Sequence, residues 1–203
     1  MPALNVWLIR HGQSTSNAGL PVNGHGEVPL TELGVAQSLV IASEVNEPPA
    51  LLVQSPFLRA RETADAIAAR WPRAMRETWP IQEVTYLDPA RCVGTTVLTR
   101  QAMVEAYWRR SDPNYVDGPG AESFAHFMQR VAAFDARLRG LTRGFVVVVG
   151  HGQFFAAYRF ALARGFTPDS EWMRRYRESE TAAPLRNGEV VRLRVDGRAT
   201  YAQ

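Results

Sequence analysis

Phe145-Val-Val-Val-Val149, closed by Gly150-His151-Gly152, constrains the fold of this chain more than any other stretch. It shows no polar alternation, so a strand here must be covered on both faces. That is how a central strand of a parallel α/β sheet reads, whereas a strand with one wet face alternates. A second apolar run, Asn5-Val-Trp-Leu-Ile-Arg10, also ends in a His-Gly pair, His11-Gly12. In open α/β sheets the ligand crevice borders the carboxyl ends of the strands. Two imidazoles delivered there by different strands can face one another across one site, which makes enzyme the leading class.

Five strand-like runs are predicted, over 5–10, 50–54, 80–84, 145–150 and 189–195, the last turning at Asp196-Gly197 into 198–201. Asp-Gly is a hairpin signal, and the alternation around it suits a sheet edge. Helical patterns lie between the runs: one opened by Thr31-Glu-Leu-Gly, others over 58–71, near 96–110, and over 123–139. Strand-helix alternation gives an α/β layer fold. We read residues 1–203 as a single domain, with 87–120, punctuated by Pro89, Pro113 and Pro119, as an inserted excursion over the sheet that shapes substrate access.

All 23 basic residues are arginine, so positive charge is carried by planar, permanently ionised forks that match phosphate and carboxylate oxygens. Against 20 acidic residues the net charge is only +3, and no dense basic run with interleaved aromatics occurs. Nucleic-acid binding is therefore not expected, while small anionic substrates are. The lone cysteine, Cys92, sits in no metal-ligand spacing and reads as an inert thiol. Neither a leader nor an apolar run of about 20 residues is present, so a cytoplasmic protein without membrane attachment is expected. Oligomeric state leaves no signal in the sequence.

The residues after the first strand, Arg10-His11-Gly12-Gln13-Ser14-Thr15-Ser16-Asn17, resemble the Arg-His-Gly signature of the histidine phosphatase superfamily, the phosphoglycerate-mutase-like group. The Ser/Thr/Asn residues are expected to cap a helix whose amino terminus favours anions. Further likenesses follow in the family's order. Ser55-Pro56-Phe57-Leu58-Arg59-Ala60-Arg61-Glu62-Thr63-Ala64 is similar to its Ser-Pro-x-x-Arg-Ala-x-x-Thr-Ala segment, and Ile81-Gln82-Glu83-Val84 to the strand with its proton-donating glutamate. Gly120-Ala121-Glu122-Ser123 resembles a helix entrance, Gly150-His151-Gly152 the second histidine strand, and Asn187-Gly188-Glu189-Val190 the opening of the last strand pair.

The resemblance implies a three-layer αβα fold, a mainly parallel central sheet of five or six strands flanked by helices. It implies a phosphatase acting on a small phosphorylated substrate or a phosphoprotein, with no metal or other cofactor. His11 would attack phosphorus and become a phosphohistidine; Glu83 would protonate the leaving oxygen; His151 would donate to the equatorial oxygens. Arg10, Asn17, Arg59 and Gly152 would bind the phosphate, whose charge of roughly −1.5 to −2 demands fixed donors. Attack requires one ring nitrogen of His11 to be held, by the Gly12 carbonyl or a neighbour.

Alternatives stand beside this reading. The family's Gly-x-Trp-Glu-Gly sequence after the glutamate is replaced here by Thr85-Tyr-Leu-Asp-Pro, which leaves Asp88 as a reserve acid. Gln13 stands where glutamate is common. Glu122 and Ser123 are expected to open a helix rather than touch substrate, His25 and His126 to be surface or packing residues, and Arg174, Arg175 and Arg177 to form a solvated face. A phosphoglycerate mutase is the nearest competing enzyme, although mutases of this type carry additional enclosing segments. A catalytically weak phospho-ligand or protein-binding member of the family is the other alternative.

Overall fold

The computed structural model describes residues 4–141, 144–195 and, for the backbone, 200–202. In chain order the elements are β1 (Leu4–Arg10), α1 (Glu32–Glu44), β2 (Leu51–Gln54), α2 (Leu58–Arg70), β3 (Met75–Thr78), α3 (Pro89–Cys92), α4 (Gln101–Arg110) and α5 (Phe124–Arg139). They continue as β4 (Gly144–Gly150), α6 (Gly152–Arg164), α7 (Ser170–Ala182), β5 (Val190–Val195) and β6 (Thr200–Ala202). The six strands form one sheet in the order β3-β2-β4-β1-β5-β6. β1, β2, β3 and β4 pair in parallel, whereas β5 and β6 add antiparallel pairings at one side. The expected αβα arrangement with a mainly parallel sheet is what the chain adopts.

β4 explains itself through the two cores. Val146 and Val148 pack with Leu8, Phe124, Phe127 and Phe154 on one side, while Phe145, Val147 and Val149 pack with Ile41, Ala60 and Ile67 on the other. Alternate side chains therefore enter different helical layers, and neither set can be polar. The α1–α2 layer is thin because α2 presents Ala60, Ala64 and Ile67, at helical spacing, to the sheet. The opposite layer is thick and aromatic: Trp172 stacks on Tyr176 at 5.6 Å, and Phe134 meets Tyr158 edge-on at 4.9 Å.

Three expectations require correction. Residues 80–84 are not a strand. The third strand is Met75–Thr78, an edge whose side chains are mostly exposed and therefore carry no apolar signal; the chain leaves the ladder at Pro80, which has no N–H to donate. Second, no helix follows Ser14-Thr15-Ser16-Asn17: this stretch is a turn pinned by a bridge between Ser14 and Leu30, and the next helix starts at Glu32, capped by the Thr31 side chain. Third, the helix expected near 96–110 starts only at Gln101, because Thr96 and Thr99 exchange side-chain-to-backbone hydrogen bonds of 2.8 and 3.2 Å in a turn of their own.

α6 was not anticipated, although Phe154, Phe155, Ala157, Tyr158 and Ala161 bury one face at helical spacing. The Asp196-Gly197 turn lies outside the described residues; the antiparallel pairing of β5 with β6 is the hairpin it would close. Among the described residues no helix is long and apolar enough to cross a membrane.

Candidate active site

β2, β4 and β1 are neighbours, and all three end at the same edge. In the β1–β4 register Arg10 stands opposite Gly150, so the next residue of each strand is a histidine. The His11 and His151 rings meet edge-on with centroids 5.1 Å apart. β2 supplies the third member, Ser55, whose amide donates to the Val149 carbonyl at 3.0 Å and whose hydroxyl lies 2.7 Å from His151 Nε2.

The turn after His11 is held by an unusually close backbone crossing. A Cβ on Gly12 would stand 2.4 Å from the Gly34 carbonyl oxygen, and one on Gly34 would stand 2.0 Å from that of Gln13. Both positions therefore exclude a side chain, and α1 starts directly beneath the histidine turn. Thr63 of α2 fixes the same point: its hydroxyl accepts from Gly12 N at 3.1 Å and donates to the Arg59 carbonyl at 2.8 Å.

His11 Nδ1 lies 2.6 Å from the Gly12 carbonyl and can only be a donor to it. The lone pair is thus on Nε2, which accepts from Arg59 Nε–H at 3.1 Å. Burial, reinforced by the Arg59 and Arg10 charges, holds the His11 pKa well below its ordinary value, against the Gly12 hydrogen bond that works the other way. The ring is neutral at pH 7. His151 is lowered well below its ordinary value for the same reasons, burial first and then Arg59. Its Nδ1 is buried without a partner among the described residues.

Arg59, on the first turn of α2, also donates from Nη1 to the His25 carbonyl at 2.8 Å and lies over the Phe57 ring. Burial brings its pKa down to about 10, which leaves it charged. Arg10 reaches the Leu185 carbonyl, and its Nε is buried without a partner among the described residues. Gly152 packs behind it: a Cβ there would stand 3.3 Å from Arg10 Nε.

A cavity of about 250 Å³ opens over this edge, lined at its polar end by Arg10, His11, Asn17, Arg59, Glu83 and Gln153. Asn17 has its amide oxygen taken up by Ser14 and by Asn187 Nδ2 at 3.0 Å, which leaves donors for a ligand. Asn187 also donates to the His11 carbonyl at 3.1 Å, so the start of the last strand pair braces the histidine turn. Glu83 accepts from Gln153 N, in the first turn of α6, at 3.1 Å and from Val84 N at 3.2 Å. Burial nevertheless raises its pKa above the ordinary carboxyl value, against the Arg10 and Arg59 charges.

Of the residues singled out in the sequence, His11, Glu83, Arg10, Asn17 and Arg59 line this cavity; His151 and Gly152 lie one layer behind it, against His11 and Arg10. Asp88 does not line it and instead caps α3, accepting from Ala90 N at 2.9 Å. His126 is exposed on α5, and Ser123 caps that helix through His126 N, as expected. Arg175 pairs with Glu171 on the exposed side of α7, but Arg177, expected on the same solvated face, is half-buried, paired with Glu180 and lying over the ring of the core residue Trp108. His25, expected to be a packing or surface residue, is a cavity residue instead; no motif contains it.

The loop carrying Glu83 is held by a pair that sequence reasoning assigned no such part. Arg130 of α5 donates to the Pro80 and Gln82 carbonyls at 3.0 and 3.1 Å and pairs with Glu122. Glu122 in turn bonds the Thr85 backbone through both its amide, at 2.9 Å, and its carboxylate, at 3.2 Å. Among the described residues no cluster of histidine, cysteine or carboxylate side chains could hold a metal ion.

A sequence model of the histidine phosphatase superfamily (branch 1) matches residues 6–196. The chain is 27% identical over 154 residues to the "Probable phosphoglycerate mutase GpmB" of Yersinia pestis, covering 73% of this chain and 70% of that protein. Among solved structures it superposes on the alpha-ribazole phosphatase of Shigella flexneri with a TM-score of 0.75 at 21% identity, covering 98% of this chain and 95% of that one. A mycobacterial glucosyl-3-phosphoglycerate phosphatase gives 0.73 at 24% identity, with 99% and 97% covered. The phosphoserine phosphatase of Entamoeba histolytica, solved with 3-phosphoglyceric acid, gives 0.72 at 18%, with 98% and 95% covered. At these identities the structural likenesses establish the fold.

Proposed function

Since this chain belongs to the histidine phosphatase superfamily, we propose that it hydrolyses phosphomonoesters through a phosphohistidine on His11. The observation that carries this reading is the state of His11: Nδ1 is tied to the Gly12 carbonyl, the ring is neutral, and Nε2 presents its lone pair beside Arg59 and Arg10. A buried neutral imidazole flanked by two guanidiniums is suited to attack a dianion that the guanidiniums hold.

In the first step the phosphate oxygens draw the Arg59 fork away from Nε2, with Arg10 and the Asn17 amide as further donors. Nε2 forms a bond to phosphorus as the bond to the ester oxygen breaks, and Glu83 transfers its proton to that oxygen. Its raised pKa favours the protonated form this step needs. In the second step the Glu83 carboxylate takes a proton from water, the hydroxide attacks phosphorus, and the phosphorus–nitrogen bond breaks, returning neutral His11 and inorganic phosphate. His151, through its unpartnered Nδ1, supports the charge on the equatorial oxygens once phosphate is bound. The 87–120 segment contributes Leu87, Val97, Arg100 and Val104 to the cavity and shapes what enters it.

A second reading, phosphoryl transfer of the mutase type, is favoured by the likeness to the Yersinia protein. Incubation of the purified protein with phosphoglycerates and with an aryl phosphate separates the two. Release of inorganic phosphate supports hydrolysis; isomerisation of the phosphoglycerate without release would overturn it.

A further inference from the structure

Charge is unevenly matched in the cavity. Three guanidiniums, Arg10, Arg59 and Arg100, line it, against a single carboxyl, Glu83. A phosphomonoester brings roughly −1.5 to −2, which Arg10 and Arg59 meet; Arg100 then remains. It stands at the start of α4, and its Nη1 donates to the Thr95 carbonyl and hydroxyl at 3.2 and 2.9 Å. Among the described residues no carboxylate pairs with it. A guanidinium held in place by neutral acceptors keeps its remaining N–H groups and its charge for a ligand.

His25 lies in the same field. Its backbone carbonyl is bound by Arg59, while its side-chain Nε2 is buried and has no partner among the described residues. Burial and the charges of Arg100 and Arg59 lower its pKa, so the ring is neutral at pH 7. A buried imidazole nitrogen without a partner is costly unless a ligand supplies one. The rest of the wall is mixed, with Val22, Val28, Leu87 and Val97 beside Ser16 and Tyr86.

We propose that Arg100 and His25 form a second anion subsite, and that the substrate is a compact phosphomonoester that carries a carboxylate. The inference rests on the phosphatase reading for the word substrate; the subsite itself is a binding claim and is tested as one. Propylphosphonate and 3-phosphonopropionate differ by a carboxylate in place of a methyl group, as phenylphosphonate and 4-carboxyphenylphosphonate differ by a carboxylate in place of hydrogen, and none can be hydrolysed. Titration calorimetry with each pair gives a ratio of dissociation constants. The native protein is expected to prefer the carboxylated member of at least one pair by about tenfold, the scale of one charge-assisted contact. In Arg100→Gln the ratio falls to within twofold of unity, and in His25→Leu it falls partway.

No preference in either pair, a preference that survives Arg100→Gln, or no binding of any phosphonate overturns the subsite. Phosphate release from the corresponding esters is measured separately. Preference for the carboxylated phosphonates without release from any ester would leave the subsite standing and remove the hydrolase reading.

Discussion

Arg59 Nε–H donates to His11 Nε2 at 3.1 Å, the nitrogen whose lone pair the proposed reaction needs. On the proposed reading, Arg59 therefore covers this nitrogen until an anion claims its fork. Arg59→Gln removes both the donor and one charge that keeps His11 neutral. We expect kcat/KM for an aryl phosphate to fall about 100-fold, comparable to loss of one charge-stabilising donor. The acid limb of the kcat/KM profile should move up toward the ordinary histidine pKa, because the cation that lowers it has gone. A steady-state pH series measures both; an unmoved acid limb would show that Arg59 does not set the state of the ring. His11→Ala should abolish turnover altogether.

Glu83 should matter in proportion to how poor the leaving group is. Glu83→Gln is expected to cost about 100-fold or more in kcat on an alkyl phosphate, within the range of general acid catalysis. On p-nitrophenyl phosphate, whose leaving group needs no proton, the loss should stay below about tenfold. Comparing the two esters in Glu83→Gln and Asp88→Asn decides the acid. If Asp88→Asn produces the selective loss, the assignment to Glu83 is wrong.

Arg130 acts on the same carboxyl at a distance. It holds the Pro80 and Gln82 carbonyls just ahead of Glu83 and pairs with Glu122. Arg130→Ala leaves the Glu122 charge unpaired in a mostly buried place, so a stability loss of about 3 kcal/mol is expected. A purely structural role would stop there. As a positioning residue, its loss should also reproduce in weaker form the leaving-group dependence of Glu83→Gln, with KM little changed and with partial rescue in Arg130→Lys. Melting temperatures and the two-ester comparison separate these outcomes.

Neutral histidines make the fold sensitive to acid, the fully buried His11 and His151 above all and His25 less. The pKa values of His11 and His151 lie well below their unfolded value near 6.5, so below that pH the unfolded chain binds protons that the folded chain does not. Stability is then highest above about pH 6.5 and falls as pH drops below it, by up to about 1.4 kcal/mol per pH unit for each ring. Glu83, with a raised pKa, works in the opposite sense: above its unfolded range the folded chain binds the extra proton, so it contributes as pH falls toward that range. Urea midpoints should therefore decline from pH 7 to 5.5 in the native protein and decline much less in a His11→Asn, His151→Asn double variant. Parallel declines in both would place the acid sensitivity elsewhere.

How far the sequence carried depended on whether a residue's surroundings were local. β1 and β4 were legible because strands covered on both faces leave uninterrupted apolar runs, and the His-Gly pairs mark their ends. Arg59 was legible through its Ser-Pro-x-x-Arg context. β3 was not, since an exposed edge strand is polar, and the apolar Trp79 and Ile81 that follow it are core residues beyond the strand. Arg130 with Glu122 left no sign because the function of the pair is to hold a loop some 50 residues earlier. His25 and Arg100 belong to the cavity only through tertiary placement, in segments that carry none of the motifs.

The adjacency of β1 and β4 has a consequence for how the molecule comes into being. His11 is made well before His151, yet the strand that carries His151 also forms the middle of the sheet, between β2 and β1. Until β4 is inserted, β1 and β2 have no neighbour to share and the two histidine strand ends do not meet. Completing the sheet and bringing the two rings together are thus one event, so a chain that has not inserted β4 holds both histidines but not their pairing.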